Sequence, residues 1–338
     1  MFSGSRATGR LHLGNYLGGI KGYIALQERG DLDCIYSVVD LHSITTPYDS
    51  KKLQERINDV VLDYLGAGLD PKKCHLMIQS QVLEHTELAF LLGTIFPVSR
   101  VEQLPTYKDK KKLHPDYINV GLFNYPILMA ADILIYKAEL VPVGIDQEPH
   151  LELTREVARR FNRLFPLTRS STELSRMSSG QIAFPEPKRF ATPGEYVPSL
   201  LGEGKMSKSV KGSYILLIDD LKEIKEKLAK APTDTGKGKK VPQKGGVANL
   251  LTFVELFQGQ KKRKEYEKQY LSTGIKYAEL KNELAKAIYK ELEPIQKRRQ
   301  YYENHLKEVK EILEKGRQYC SKIARQTLLE TKKAMGLI

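Results

Sequence analysis

Residues Cys34–Gln79 read CIYSVVDLHSITTPYDSKKLQERINDVVLDYLGAGLDPKKCHLMIQ. Cys34–Val39 is a short apolar run ending at Asp40, the pattern of a buried strand, and His75–Gln79 is a second one. Between them Leu53, Ile57, Val60, Val61, Tyr64 and Leu65 recur at helical spacing, and Gly66–Gly68 with Pro71 beyond ends that helix. Strand, helix, strand is the order of a parallel α/β sheet, in which ligands collect at the carboxyl ends of the strands. Asp40, His42, Gln79 and Gln81 fall at or just past such ends, so each is a candidate either for a pocket wall or for a turn cap. Upstream, Met1-Phe2-Ser3-Gly4 leaves room for only a very short first strand, unless the given chain starts inside a longer one.

The rest of the composition narrows the class. A chain of 338 residues has room for two domains and a substantial core. Its 41% hydrophobic and 28% charged content is ordinary for a soluble globular protein. No apolar run approaches a membrane span and no basic-then-apolar leader opens the chain, so a cytoplasmic protein is expected. Cys34, Cys74 and Cys320 lie far apart without a CxxC pair, which excludes a four-thiolate metal or iron–sulfur site; no bound metal is expected. The charge is uneven. Residues 1–212 carry 26 Lys and Arg against 24 Asp and Glu, and residues 213–338 carry 28 against 17. A basic C-terminal third is a plausible footprint for a polyanion, and equally the solvated face of Lys-rich helices. There, Leu280, Leu284, Ala287, Ile288 and Leu292 form one apolar stripe and Leu306, Val309, Ile312 and Leu313 another. Thr233–Gly246, rich in Gly and Lys, is expected to be disordered without a ligand.

Two stretches carry phosphate chemistry. In Gly204-Lys205-Met206-Ser207-Lys208-Ser209, two lysines separated by two residues on a Gly-flanked loop can bring two ammonium groups to one polyphosphate. In Thr8-Gly9-Arg10-Leu11-His12-Leu13-Gly14-Asn15, a His and an Asn on a Gly-rich turn after the first strand can meet the same phosphates from the other side. Phosphoryl and nucleotidyl transfer need such positioning and charge neutralisation. No GxxxxGK[ST] occurs, which excludes a P-loop kinase. Residues 184–204, rich in Pro and Gly, read as a mobile loop bearing the lysines.

Together, in this order, the two stretches resemble the HIGH and KMSKS elements of class I aminoacyl-tRNA synthetases. Val39–Thr45 (VDLHSIT), Asn119–Tyr136 (NVGLFNYPILMAADILIY) and Val141–Asn162 (VPVGIDQEPHLELTREVARRFN) further resemble tryptophanyl-tRNA synthetases of bacterial type. The resemblance implies an α/β fold: a Rossmann-like parallel-sheet catalytic domain over 1–212, with a dimer-forming insertion near 80–135 and the lysine loop near 195–212, then a mainly α-helical, basic anticodon-binding domain over 213–338. It implies a homodimer that uses ATP with Mg²⁺, L-tryptophan and tRNA(Trp), passing tryptophan through an adenylate to the terminal adenosine. His12, Asn15, Lys205 and Lys208 would be catalytic. Arg6, Ala7, Thr8, Gly14, Gly144, Ile145, Asp146, Val197, Met206, Ser207 and Ser209 would join Asn15 and the lysines around ATP. Tyr125, Met129, Asp132, Val141, Val143 and Gln147 would receive tryptophan.

Around Asp132 the residues also speak for themselves. Pro126 suits a first helical position, after which Tyr125, Met129 and Asp132 share one helix face. Asp132 sits among apolar neighbours, and a buried carboxylate needs a donor; an indole N–H is a donor only. A cap or an Arg partner is the alternative. Tyrosyl-tRNA synthetases are the rival within the fold, but they typically carry Gln where this chain has Met129, an adaptable apolar side chain suited to a large flat ring. Two relatives' habits are broken: Arg6 and Ala7 replace the usual Gln and Pro, and Ile145 replaces a commonly acidic residue. Outside the enzyme class the rival is a non-catalytic tRNA-binding paralogue, which would lose members of the two phosphate motifs; both are whole here. A small-molecule nucleotidyl transferase would lack the basic helical appendage.

Overall fold

The computed structural model describes residues 1–166, 184–191, 196–208 and 210–338. Strands β1 (Phe2–Ser5), β2 (Ile35–Val38) and β3 (His75–Ile78) form a parallel sheet in the order β1-β2-β3, with Phe2 opposite Ile35 and Ile35 opposite His75. The first strand is indeed short, but at four residues it matches its neighbours along their whole length. A second parallel pair, β4 (Leu140–Pro142) and β5 (Lys188–Phe190), lies beside β1, where the Ser3 hydroxyl donates to the Pro142 carbonyl at 2.9 Å. The chain therefore runs outward from β1 to one side and, from β4, to the other. That reversal opens a crevice above the carboxyl ends of β1 and β4.

Helices cover the sheet. After β1 come α1 (Leu13–Asn15), a π-helical turn (Tyr16–Ile20) and α2 (Lys21–Gln27). Helix α3 (Ser50–Ala67), capped by Asp49 and stopped at Gly68, joins β2 to β3 as its periodicity predicts. Next are α4 (Glu84–Ile95), α5 (Val98–Gln103), α6 (Pro105–Leu113), α7 (Val120–Leu134) and α8 (Glu148–Leu164). Pro126 does not start a helix. Helix α7 begins at Val120, where Asn119 accepts from the Leu122 N–H, and Pro126 sits inside it. A good side-chain cap thus outweighs proline's preference for the first turn.

The last third is helical: α9 (Leu221–Ala229), α10 (Gly246–Gln258), α11 (Gln260–Leu271), α12 (Tyr277–Asn304) and α13 (Leu306–Ala334). Leu280, Leu284, Ile288 and Leu292 are buried as their spacing predicts, in one core with Val60, Leu65, Leu11 and Leu13. The stripe expected on α13 is only partly correct. Leu306 is 55% exposed, whereas Val309 is buried with Ile312 and Leu313 packed partly buried against the same core, and the buried line continues through Gly316, Cys320, Ala324 and Leu328. Small residues line it because α13 packs closely on β3 and α4. The Gly/Lys-rich loop is not loose either: Asp234 accepts from the hydroxyls of Tyr270 and Tyr277 and from the Gly236 N–H.

Candidate active site

The crevice holds a cleft of about 390 Å³ that runs from Asp132 at one end to Gly14, Asn15 and Lys205 at the other. Its deep end is built around a carboxylate. Asp132 on α7 is 1% exposed. Its Oδ2 lies 2.8 Å from His42 Nε2; its Oδ1 accepts from Gln79 Nε2 at 2.7 Å and lies 2.6 Å from His85 Nδ1. Burial pushes its pKa up, but the hydrogen bonds from His42 and His85 outweigh that and hold it well below the usual carboxylate range. An ionised carboxylate only accepts, so both histidines donate to it, and the far nitrogen of His85 faces the Tyr136 hydroxyl at 2.7 Å. Among the described residues neither an Arg partner nor a helix cap holds Asp132: its donors come from just past β2 and β3 and from α4.

His42 and Gln79 are therefore site residues, whereas Asp40 is a turn tie, accepting from the Leu41 and Ser80 N–H groups. Gln81 is exposed and does not line the cleft. All six residues expected around the amino acid, Tyr125, Met129, Asp132, Val141, Val143 and Gln147, line the cleft. So do three that periodicity did not single out. Thr106 and Lys110 come from α6, and His150 from α8. The Tyr125 hydroxyl lies 3.1 Å from both Thr106 Oγ1 and His150 Nε2, and Lys110 Nζ stands 3.5 Å over the Tyr125 ring. Burial, with Arg6 adding to it, brings the Lys110 ammonium down to about 7. Burial, with Lys110 and His42 adding to it, brings His150 down to about 4. Arg6 Nε and His150 Nδ1 are buried in this wall without a hydrogen-bond partner among the described residues. Buried polar atoms are rarely left so, and two of them lining one cleft point to a ligand that completes them.

At the shallow end the two phosphate stretches meet. The Leu13 N–H donates to the Ile215 carbonyl and the Leu217 N–H to the Leu11 carbonyl, so the segment after the lysines is stitched to the His12 turn. His12 caps α1: its Nδ1 accepts from the Gly14 N–H at 3.0 Å, and its own N–H donates to Asn15 Oδ1. A Cβ at Gly14 would stand 2.8 Å from the His12 ring, so only glycine permits this packing. Burial, then Lys208 and Lys205, brings His12 down to about 4. The ring is neutral at pH 7, and with Nδ1 accepting, its proton is on Nε2.

Both lysines already have partners. Lys205 Nζ is 3.2 Å from Asp146 Oδ1, and Lys208 Nζ donates to the carbonyls of Thr8, Gly9 and Arg10 at 3.0–3.2 Å. Burial brings the Lys208 ammonium down to about 8. Of the residues expected around ATP, Arg6, Gly14, Asn15, Gly144, Asp146 and Lys205 line the cleft. His12, Ala7, Thr8, Val197, Met206, Ser207 and Lys208 stand behind or beside that lining, Ile145 is exposed, and Ser209 lies outside the described residues. The Met206 N–H donates to the Val197 carbonyl, so Val197 supports the lysine loop from the core.

The comparisons with known proteins agree with this geometry. The model of the tRNA synthetases class I (W and Y) matches residues 1–293. A tryptophan–tRNA ligase of Clostridium tetani is 37% identical over 341 residues, covering 100% of this chain and 96% of that protein. One from Caldanaerobacter subterraneus is 39% identical over 342 residues, at 100% and 98% coverage. Among solved structures, tryptophanyl-tRNA synthetase from Mycoplasma pneumoniae superposes with a TM-score of 0.82 at 31% identity, covering 99% of this chain and 96% of that one. The Campylobacter jejuni enzyme complexed with ADP and tryptophan gives 0.80 at 26% identity, with 99% of each chain covered. With a Rossmann-like sheet, both phosphate motifs at one cleft and this likeness over its full length, the chain belongs to the class I tRNA synthetases of the tryptophan and tyrosine family.

Proposed function

We infer that this chain is a tryptophan–tRNA ligase that couples L-tryptophan to ATP as an adenylate and then to the terminal adenosine of tRNA(Trp). The observation that carries the reading is one continuous cleft with an ionised Asp132 at its apolar end and Gly14, Asn15 and Lys205 at its phosphate end, where Lys208 is tied to the Thr8–Arg10 carbonyls of the same turn. Three protein donors leave Asp132 one accepting position, which suits a single N–H such as the indole's. Met129, Val141 and Val143 supply apolar wall. Tyr125 and Gln147 would take the ammonium, and Arg6, whose Nη2 donates to Thr46 Oγ1 while Nε has no partner among the described residues, would meet the carboxylate or the α-phosphate.

In the first step a tryptophan carboxylate oxygen attacks the α-phosphorus, the bond to the bridging oxygen of the β-phosphate breaks, and pyrophosphate leaves with the charge. His12 offers Nε2–H, Gly14 and Asn15 hold the triphosphate, and Asp146 accepts from a ribose hydroxyl. Lys205 exchanges Asp146, and Lys208 its three carbonyls, for phosphate oxygens. Interactions gained only as charge migrates raise the rate rather than the affinity. Magnesium enters with ATP as part of the substrate. In the second step the 2′-hydroxyl oxygen of the terminal adenosine attacks the tryptophanyl carbonyl carbon, the bond from that carbon to the phosphate oxygen breaks, and AMP leaves as the hydroxyl gives up its proton.

The basic excess after residue 213 supports tRNA contact by the helical part. Leu83, Phe90, Val98, Leu113 and Val120 are each more than half exposed within the segment read as a dimer insertion, which supports a homodimer. Among the described residues no helix is long and apolar enough to cross a membrane, and a cytoplasmic location is part of the proposal. ATP–pyrophosphate exchange without tRNA, one amino acid at a time, tests the reading. Exchange with tryptophan alone is expected. Exchange with tyrosine instead would overturn the pocket, and silence with every amino acid would overturn the activity.

A further inference from the structure

Helix α12 reaches both phosphate stretches within about two helical turns. Glu291 Oε1 accepts from the Tyr16 hydroxyl and pairs with Lys21, both at 2.8 Å, just past the His12 turn. Gln296 Nε2 donates to the carbonyls of Leu217 and Asp219, both at 2.9 Å, just past the lysine loop. Arg299, 4% exposed, pairs with Asp63 Oδ1 at 2.5 Å and with Asp59 Oδ1 at 2.8 Å. The second oxygen of Asp63 accepts from the Leu11 N–H at 2.6 Å. Asp63 is thus a two-ended clamp, one oxygen on α12 and the other on the backbone next to His12.

The helix is closely packed on α3 beside this clamp. A Cβ at Gly66 would stand 2.9 Å from Arg299 Cβ and 3.0 Å from the Ile295 carbonyl, so the two backbones touch there. Arg298 Nε fastens the same point by donating to the Gly66 carbonyl at 2.7 Å. Neither Asp63 nor Arg299 lines the cleft, so they act on the reaction at one remove: Asp63 through the Leu11 N–H it accepts from, and through its charge, which favours the Lys208 ammonium.

We propose that Arg299, acting through Asp63, is a positioning residue for adenylate formation: it sets the Leu11–Leu13 backbone, and with it His12 and Gly14, against the segment after the lysine loop that Gln296 holds from the same helix. The physical reason is that a carboxylate buried among Asp59 and Leu11 keeps its charge and orientation only while a cation faces it. Without Arg299 it takes a proton or turns, and the Leu11 N–H loses its acceptor. Burial already raises the Asp63 pKa to about 6 despite Arg299, which fits a clamp that depends on its partner.

The inference rests on the synthetase reading, and ATP–pyrophosphate exchange with concentrations set by active-site titration tests both. Arg299→Met is expected to lower kcat about tenfold while leaving the KM for tryptophan within about twofold. Arg299→Lys, which keeps the charge but not the planar fork, is expected to recover part of the loss. Asp63→Asn combined with Arg299→Met should be no worse than the poorer single variant, because both break one chain of contacts. Should Arg299→Met not fold, Arg299→Lys alone carries the test, with a kcat loss expected at unchanged KM for tryptophan. Unchanged kcat per active site with only a lower Tm, equal loss in the tryptophan KM, or losses that multiply in the double variant would each overturn the inference. Silence of the wild-type protein with every amino acid would overturn the synthetase reading and this inference with it; active wild type with unchanged variants would overturn this inference alone.

Discussion

The two ends of the cleft are built in opposite ways. At the deep end, side chains hold side chains: Asp132 is fixed by His42, Gln79 and His85, and His85 in turn by Tyr136. At the shallow end, functional side chains are parked on groups they must leave, Lys208 on three backbone carbonyls and Lys205 on a half-exposed Asp146. A buried network that is fully satisfied is costly to disturb and selects one ligand shape. Cations parked on replaceable acceptors can follow charge as it moves. The first arrangement suits recognition, the second suits the transition state.

That contrast is open to breakage. The largest effect is expected at the deep end: Asp132→Ala should weaken tryptophan binding by about a hundredfold or more while the KM for ATP changes less than threefold, because three donors lose their acceptor. The chain contains no tryptophan of its own, so fluorescence of the bound ligand reports its affinity directly. Equal loss of both substrates would sink the distinction. Next, Lys208→Ala should lower kcat of exchange by about 10²-fold at nearly unchanged tryptophan affinity, as for other lost electrostatic stabilisers; a rate within threefold of wild type would count against it.

A smaller effect should appear with pH. A lysine lowered to about 8 loses its charge as pH rises past that value, so kcat/KM for ATP should fall above pH 8, and Lys208→Arg should move that limb upward. Lys110, lowered to about 7, would add an earlier fall that Lys110→Arg removes. The smallest concerns stability. His12 and His150, both lowered to about 4, are neutral in the folded state where the unfolded chain would bind protons. Their contribution is present above the unfolded value near 6.5 and is lost as pH falls toward 4. The urea midpoint should drop over that range, and drop less in His12→Asn; an unchanged slope would remove His12 from the account.

Much of this was legible residue by residue. The apolar runs and the α3 periodicity specified the sheet, and the face of α7 carrying Tyr125, Met129 and Asp132 followed from spacing alone. Where a local rule met a stronger local signal it failed, as when the Asn119 cap placed Pro126 inside α7. Nothing in the run YKDKKKL marks Lys110 as the lysine that turns inward.

Composition and order determined, without any coordinates, that this chain carries an α/β sheet, two phosphate stretches and an apolar-walled carboxylate. Only the tertiary structure decided that His42, Gln79 and His85 share Asp132, that among the described residues His150 Nδ1 and Arg6 Nε are buried at the cleft without a partner, and that Arg299 clamps Asp63. Periodicity reports which side of an element is buried, because that depends on neighbours a few residues away. Which charge meets which across 236 residues, as between Asp63 and Arg299, depends on how whole elements pack, and no local pattern encodes it.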